Sequence, residues 1–151
     1  MFQFVAYPLA LANLEAAVLA ACGAEEEWPA QVCAGIYGGV DYAIAHPEVV
    51  ETLAADAPPG ADTLRRYETV VGRLTGFLRA NAPADRRLPG STDEALVAGV
   101  VGLVGDHLRI GRLDRLRELR PELVLLTLLP YLGFAEAQEW ANRGAEPADR
   151  A

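Results

Sequence analysis

The sequence predicts a single all-α domain of about six helices. Apolar residues recur at spacings of three and four along most of the chain, and no segment of useful length alternates as a strand does. Proline and glycine separate the periodic segments. With 151 residues, 52% of them hydrophobic and 23% charged, the chain suits one globular domain. We expect this domain to cover residues 1–144 and a frayed tail to cover residues 145–151.

The first predicted helix covers residues 7–22 and ends near Gly23. It has one apolar stripe at helical spacing, and Glu15 lies off that stripe. The stripe consists of Leu11, Leu14, Val18 and Cys22. We therefore expect Glu15 on the polar side of this helix.

The second predicted helix opens at Trp28-Pro29, where proline suits the first turn because its missing N–H would be unpaired there. It stops before Pro47, which opens a short helix over residues 48–55. Glycines inside the second helix cost about 1 kcal/mol each relative to alanine, so they indicate close helix packing or a ligand cavity. They are Gly35, Gly38 and Gly39.

Two longer helices are predicted over residues 62–80 and 92–110. The second has a capping box, in which Ser91 accepts the third helical N–H and Glu94 reaches back to Ser91. Gly111 suits the left-handed residue that follows a helix. The segment RIGRLDRLRELR comes next, and we interpret it as a solvated connector, with an anion- or nucleic-acid-binding patch as the alternative.

The last predicted helix starts at Pro121 and ends near Gly144. Residues 123–134 include no charged side chain. Pro130 lies inside this apolar run, where it removes a backbone hydrogen bond and crowds the preceding turn. We expect a bend at Pro130 in a helix that continues beyond it.

The two helices over residues 92–110 and 121–144 are apolar around most of their circumference, and the other helices are too few to cover them. We therefore expect a homodimer in which these helices form a four-helix bundle. The expected interface residues are Leu96, Leu103, His107, Ile110, Leu125, Leu129 and Leu132.

Charge and cysteine content exclude several functions. The net charge is -8, and the first basic side chain is Arg65, so the N-terminal part lacks the cations that DNA binding requires. Cys22 and Cys33 show no metal-ligand spacing with either histidine, and no catalytic triad is spaced along a helix, so we expect no metal, no cofactor and no catalysis. A redox pair of the two cysteines remains an alternative, as does a lipoprotein site at Cys22.

The lengths of the apolar runs and the charge of the N-terminus predict the cellular location. None reaches the roughly 18–20 residues of a membrane span, and the N-terminus lacks the positive charge of a signal peptide. We therefore expect a cytoplasmic protein that does not bind a membrane.

Four segments together resemble a known family. They are Trp28-Pro29-x-x-Val32, the long middle helix before Pro83, the capped helix followed by a basic loop, and Leu129-Pro130-Tyr131-Leu132-Gly133. They resemble the C-terminal ligand-binding and dimerisation domain of TetR-type (tetracycline-repressor-like) transcriptional regulators, over roughly residues 7–140. The resemblance implies effector binding and dimerisation. The family's N-terminal helix-turn-helix head has no counterpart here, so DNA binding would need that missing head.

In that family the effector occupies an apolar tunnel within each subunit. At matching positions, the resemblance implies a lining of Ile36, Tyr37, Val40, Tyr67, Val71, Leu74, Val100 and Val104. A buried tyrosine hydroxyl can hydrogen-bond to a ligand, although both tyrosines also fit as core aromatics. Asp41 is expected on a solvated side, with recognition of a cationic ligand as the alternative. The implied ligand is a small apolar or aromatic effector.

Two other functions fit the same features. One is a stand-alone helical module that dimerises with a partner regulator through the last two long helices. The other is a small helical enzyme or lipid carrier that uses the same cavity.

Overall fold

The helices of this chain are arranged around two apolar clusters. The computed structural model describes residues 2–46 and 61–149, and the side chains at 12–46, 65 and 68–143. The α-helices in these ranges are α1 (Phe2–Gly23), α2 (Trp28–Ala45), α3 (Ala61–Asn81), α4 (Thr92–Arg109), α5 (Leu113–Glu118), α6 (Arg120–Leu132) and α7 (Phe134–Asp149). A short 3-10 helix, Ala84–Arg86, connects α3 to α4. The described residues include no strand, which confirms the all-α prediction, and the predicted helix over 48–55 lies outside them.

The first apolar cluster joins α2, α3, α6 and α7 around Trp28. The Trp28 indole Nε1 donates a hydrogen bond to the Leu78 carbonyl oxygen at 3.2 Å. Its ring meets that of Tyr131 edge-on, with 4.9 Å between ring centroids. Val124 and Leu128 of α6 are fully buried in the same cluster. Trp28 thus joins the start of α2 to the end of α3 and to α6.

The second cluster joins α2, α4, α5 and α6, and it corrects the interpretation of the arginine-rich segment. That segment is not only a connector, because its middle forms the short helix α5. Leu116 of α5 has no exposed surface and packs with Val40, Leu108 and Leu123. The neighbouring Arg115 and Arg117 are exposed. The leucines of this segment therefore belong to the core, and most of its arginines face solvent.

The glycines of α2 allow α1 and α2 to pack closely. A Cβ atom built on Gly35 would lie 2.6 Å from the Cys22 Sγ. One built on Gly38 would lie 2.7 Å from the Ala21 Cβ, and one on Gly39 would lie 2.8 Å from a Val18 methyl group. These distances are shorter than non-bonded contacts allow. The missing side chains are therefore what lets the two helices approach each other.

We expect Gly38→Ala to lower the free energy of unfolding by about 1–2 kcal/mol, because the clash with Ala21 outweighs the better helix propensity of alanine. Gly76→Ala is the matched control. Gly76 is exposed in α3, and a Cβ there would meet nothing within 4 Å. The free energy of unfolding of that variant, measured by urea denaturation, should rise by about 0.5–1 kcal/mol. Equal stability of the two variants would contradict close packing at Gly38.

The start of α4 differs from the predicted capping box. Ser91 has φ -100° and ψ 21°, and its side chain makes no capping hydrogen bond. This backbone conformation is not the extended one in which an N-cap side chain reaches the helix. Instead the Asp93 carboxylate is buried in the first turn, where it accepts the Glu94 N–H at 3.0 Å and pairs with Arg79 of α3 at 3.5 Å. The end of α4 is as predicted, with Gly111 at φ +72°.

The helix continues through Pro130, as predicted, but the single helix predicted from Pro121 to near Gly144 is wrong. α6 includes Pro130 but ends at Leu132, and Gly133 follows at φ +82°, a conformation that glycine adopts readily. α7 begins at Phe134 and packs against α6 through the buried Ala137. The predicted end near Gly144 is also wrong, because α7 extends to Asp149.

Candidate ligand-binding site

An apolar cavity of about 400 Å³ lies between α1, α2, α3 and α4, and Thr127 of α6 contributes to its lining. Small-molecule sites typically measure about 300–1,000 Å³. Most of the lining side chains are aliphatic, and glycines complete the wall on α2 and α4. The size and chemistry of this cavity suit a small, largely apolar molecule.

The structure brings most of the expected ligand-binding residues to this cavity. Six of the eight line it: Ile36 and Val40 from α2, Val71 and Leu74 from α3, and Val100 and Val104 from α4. Tyr67 lies in α3, but its side chain is outside the described part of the chain. Tyr37 does not line the cavity.

Tyr37 faces α6 instead, which corrects its expected role. Consecutive helical residues point about 100° apart, so Tyr37 cannot share the direction of Ile36. The Arg120 guanidinium lies over its ring at 4.7 Å and donates a hydrogen bond to Asp41 at 2.6 Å. The Tyr37 hydroxyl is buried without a hydrogen-bond partner, and this burial raises its pKa. Tyr37 is therefore a core aromatic, and Asp41 is exposed, away from the cavity.

Glu15 is the cavity residue that sequence reasoning placed incorrectly. It is only 7% exposed and lines the cavity together with Leu14, Val18 and Cys22 of α1. Residues 15, 18 and 22 follow spacings of three and four, so the helical period itself assigns Glu15 to the buried face. Because Glu15 is charged, it was expected on the polar side of α1 in spite of this spacing.

Asp106, Arg109, Thr127 and Glu15 are polar residues of the lining, and each has a partner within the chain. Asp106 and Arg109, both more than half exposed, form an ion pair with each other on α4. The Thr127 hydroxyl donates to the Leu123 carbonyl oxygen at 2.8 Å. Glu15 accepts long hydrogen bonds from a single guanidinium nitrogen, Arg73 Nη1.

The two cysteines are free thiols in different surroundings. Cys22 lines the cavity, and burial raises its pKa. Burial also raises the pKa of Cys33, to about 11. Because the thiolate is the reactive form, both side chains are poor nucleophiles near neutral pH.

The seven expected dimer residues differ in how far they are exposed. Leu103, Ile110 and Leu129 are exposed, whereas Leu96, Leu125 and Leu132 are partly buried against the core of the same chain. His107 is partly exposed, and its Nδ1 donates to the Leu103 carbonyl oxygen at 2.8 Å.

Two further large apolar side chains are exposed, and neither was assigned to the dimer interface from the sequence. Leu126 is 40% exposed and Phe134 is 64% exposed. Leu126 lies one turn before Leu129 on the same face of α6. The exposed large apolar residues of α4, the residue after it, α6 and the start of α7 are hereafter called the apolar surface: Leu103, Ile110, Leu126, Leu129 and Phe134.

In the described ranges, no helix is both long enough and apolar enough to span a membrane, and no three His, Cys, Asp or Glu side chains are grouped as metal ligands. Comparisons with protein-family models, with curated proteins and with solved structures find no significant match. The fold and the cavity define a class of protein, an all-α protein with an apolar pocket between its helices.

Proposed function

We propose that this chain is the effector-binding and dimerisation domain of a TetR-like transcriptional regulator and binds a small, mostly apolar ligand in the cavity between α1 and α4. The observation that carries the proposal is the gathering of Ile36, Val40, Val71, Leu74, Val100 and Val104 around one cavity of about 400 Å³. A cytoplasmic location, the absence of catalysis and the absence of DNA binding by these residues belong to the same proposal.

Ligand binding is testable with the neutral apolar dye N-phenyl-1-naphthylamine, whose fluorescence rises in apolar surroundings. We expect saturable binding by the wild-type chain. Gly105→Leu should weaken this binding about tenfold, since the new side chain occupies part of the cavity that Gly105 lines. A Cβ at Gly105 meets nothing within 4 Å, so the variant should still fold.

Gly76→Leu is the matched control for this experiment. Gly76 is also helical and open to a Cβ, but it does not line the cavity. Its dye affinity should equal that of the wild-type chain. Absence of saturable dye binding, or equal binding by Gly105→Leu, would contradict the proposed site.

The dimeric part of the proposal rests on the apolar surface. Exposed apolar side chains that lie on neighbouring elements are typical of protein interaction sites. α4 and α6 contact each other, and both contribute to this surface. Dimerisation of two copies across it would bury these side chains.

Sedimentation tests the dimer. We expect the wild-type chain to sediment as a dimer at tens of micromolar and the double variant Leu126→Glu with Leu129→Glu as a folded monomer, because burying two unpaired charges is unfavourable. Thr69→Glu, at an exposed position of α3, is the control that should remain dimeric. A monomeric wild-type chain would contradict this part of the proposal.

A further inference from the structure

We propose that the ligand of the cavity carries a positive charge, as a protonated amine on an apolar body, and that Glu15 binds this charge. The inference rests on the proposed function, since it names the class of ligand for the same cavity. It follows from the position of Glu15, from its incomplete hydrogen bonding and from the distribution of cations around it.

Glu15 is the most deeply buried charged residue of the lining. It is 7% exposed, whereas Asp106 and Arg109 are more than half exposed and pair with each other. A carboxylate that is removed from water requires a counter-charge and hydrogen-bond donors, since desolvation is otherwise very unfavourable. The cavity-lining residues of α1 and α2 include no arginine or lysine.

Arg73, the hydrogen-bond partner of Glu15, occupies only part of the acceptor capacity of its carboxylate. Arg73 Nη1 lies 3.3 Å from one carboxylate oxygen and 3.4 Å from the other. Charge-assisted hydrogen bonds are usually about 2.7–2.9 Å long, and a carboxylate has about four acceptor positions. Glu15 therefore retains acceptor capacity within the cavity.

Among the described side chains that line the cavity, the only cation is Arg109, which pairs with Asp106. Residues 1–64, which include α1 and α2, contain no lysine or arginine. The side chain of Arg73 is itself 65% exposed to water. An ammonium group entering the cavity can pair with Glu15 from the apolar side while Arg73 remains in solvent.

The test compares octylamine, octanol and octanoate, which share one chain length and differ in charge, as competitors of the dye N-phenyl-1-naphthylamine. We expect octylamine to displace the dye at about a tenfold lower concentration than octanol, and octanoate to be the weakest. In Glu15→Gln the advantage of octylamine over octanol should disappear, with octanol unchanged. Glu139→Gln, on an exposed site of α7, should retain it.

Arg73→Gln provides a second readout that does not require Glu15→Gln to fold. Removing the competing guanidinium should increase octylamine affinity several-fold and increase the thermal stabilisation that octylamine gives. Equal displacement by octylamine and octanol would overturn the cationic ligand but leave the proposed function intact. Preference for octanoate would also overturn it. Absence of binding by the dye and by all three compounds would instead remove the proposed function.

Discussion

Replacing Trp28 by alanine is expected to lower the free energy of unfolding by about 3–5 kcal/mol, the largest effect of any single change considered for this chain. The indole is 6% exposed and contacts α3 and α6 from the first residue of α2. Its removal leaves a cavity among Leu78, Val124 and Tyr131. Because small domains are stable by only about 5–15 kcal/mol, the variant should unfold at much lower urea concentration.

Trp28→Phe separates packing from hydrogen bonding. Phenylalanine keeps an aromatic ring near Tyr131 but lacks the Nε1 donor. The Leu78 carbonyl oxygen would still accept the Ala82 N–H at 3.1 Å, so it would not be left unpaired. We expect a loss of about 1–2 kcal/mol, which combines the lost hydrogen bond and the smaller ring. Equal losses of unfolding free energy in Trp28→Ala and Trp28→Phe would show that packing of the aromatic ring contributes little to stability.

Replacing Leu116 by alanine is expected to lower the free energy of unfolding by about 2–5 kcal/mol. Leu116 has no exposed surface and fills the second cluster between α2, α4 and α6. The effect would be unexpected for a solvated connector, so it tests the position of α5 directly. Chemical denaturation at one protein concentration is the measurement.

Arg115→Ala is the matched control for Leu116, one residue earlier in the same helix. Arg115 is exposed, so its removal should change the free energy of unfolding by less than about 0.5 kcal/mol. If Leu116→Ala behaves like Arg115→Ala, α5 does not pack as described. A larger loss of unfolding free energy in Leu116→Ala than in Arg115→Ala would support the packing of Leu116 in the second cluster.

Helical periodicity accounts for the parts of the fold that were predictable. Apolar residues at helical spacing located α2, α3 and α4, whereas the expected cavity residues came from the family resemblance. The end of α4 was also predictable, because Gly111 follows the last periodic residue and adopts a positive φ. These features depend on local sequence, where propensity and pattern agree.

The break at Gly133 could not be predicted, because glycine has two roles in this chain. Gly133 and Gly111 end helices at positive φ, whereas Gly38, Gly76 and Gly105 lie inside helices. A single glycine after an apolar run therefore gives no clear signal. Pro130 adds to the ambiguity, since it lies in the last turn of α6 and not at its boundary.

Side-chain pairing explains the errors at the site. Glu15 follows the helical period of the buried face, but its charge led to the prediction that it faces solvent. Its ion-pair partner, Arg73, lies 58 residues away in the sequence. Tyr37 was assigned to the cavity by resemblance, and its contact with Arg120 depends on how α2 and α6 pack. Such long-range pairs are set by tertiary packing and have no local pattern.

The close approach of α1 and α2 has a consequence for how this pocket could acquire new specificity. Gly35 and Gly39 belong both to the α1–α2 contact and to the cavity wall, so that wall cannot be rebuilt with larger side chains without separating the helices. Gly102 and Gly105 of α4 have free space around a Cβ. Mutational libraries that resize the pocket should therefore vary α4 and leave α2 unchanged. Selection for different ligands would be expected to accumulate substitutions asymmetrically, on the α4 wall.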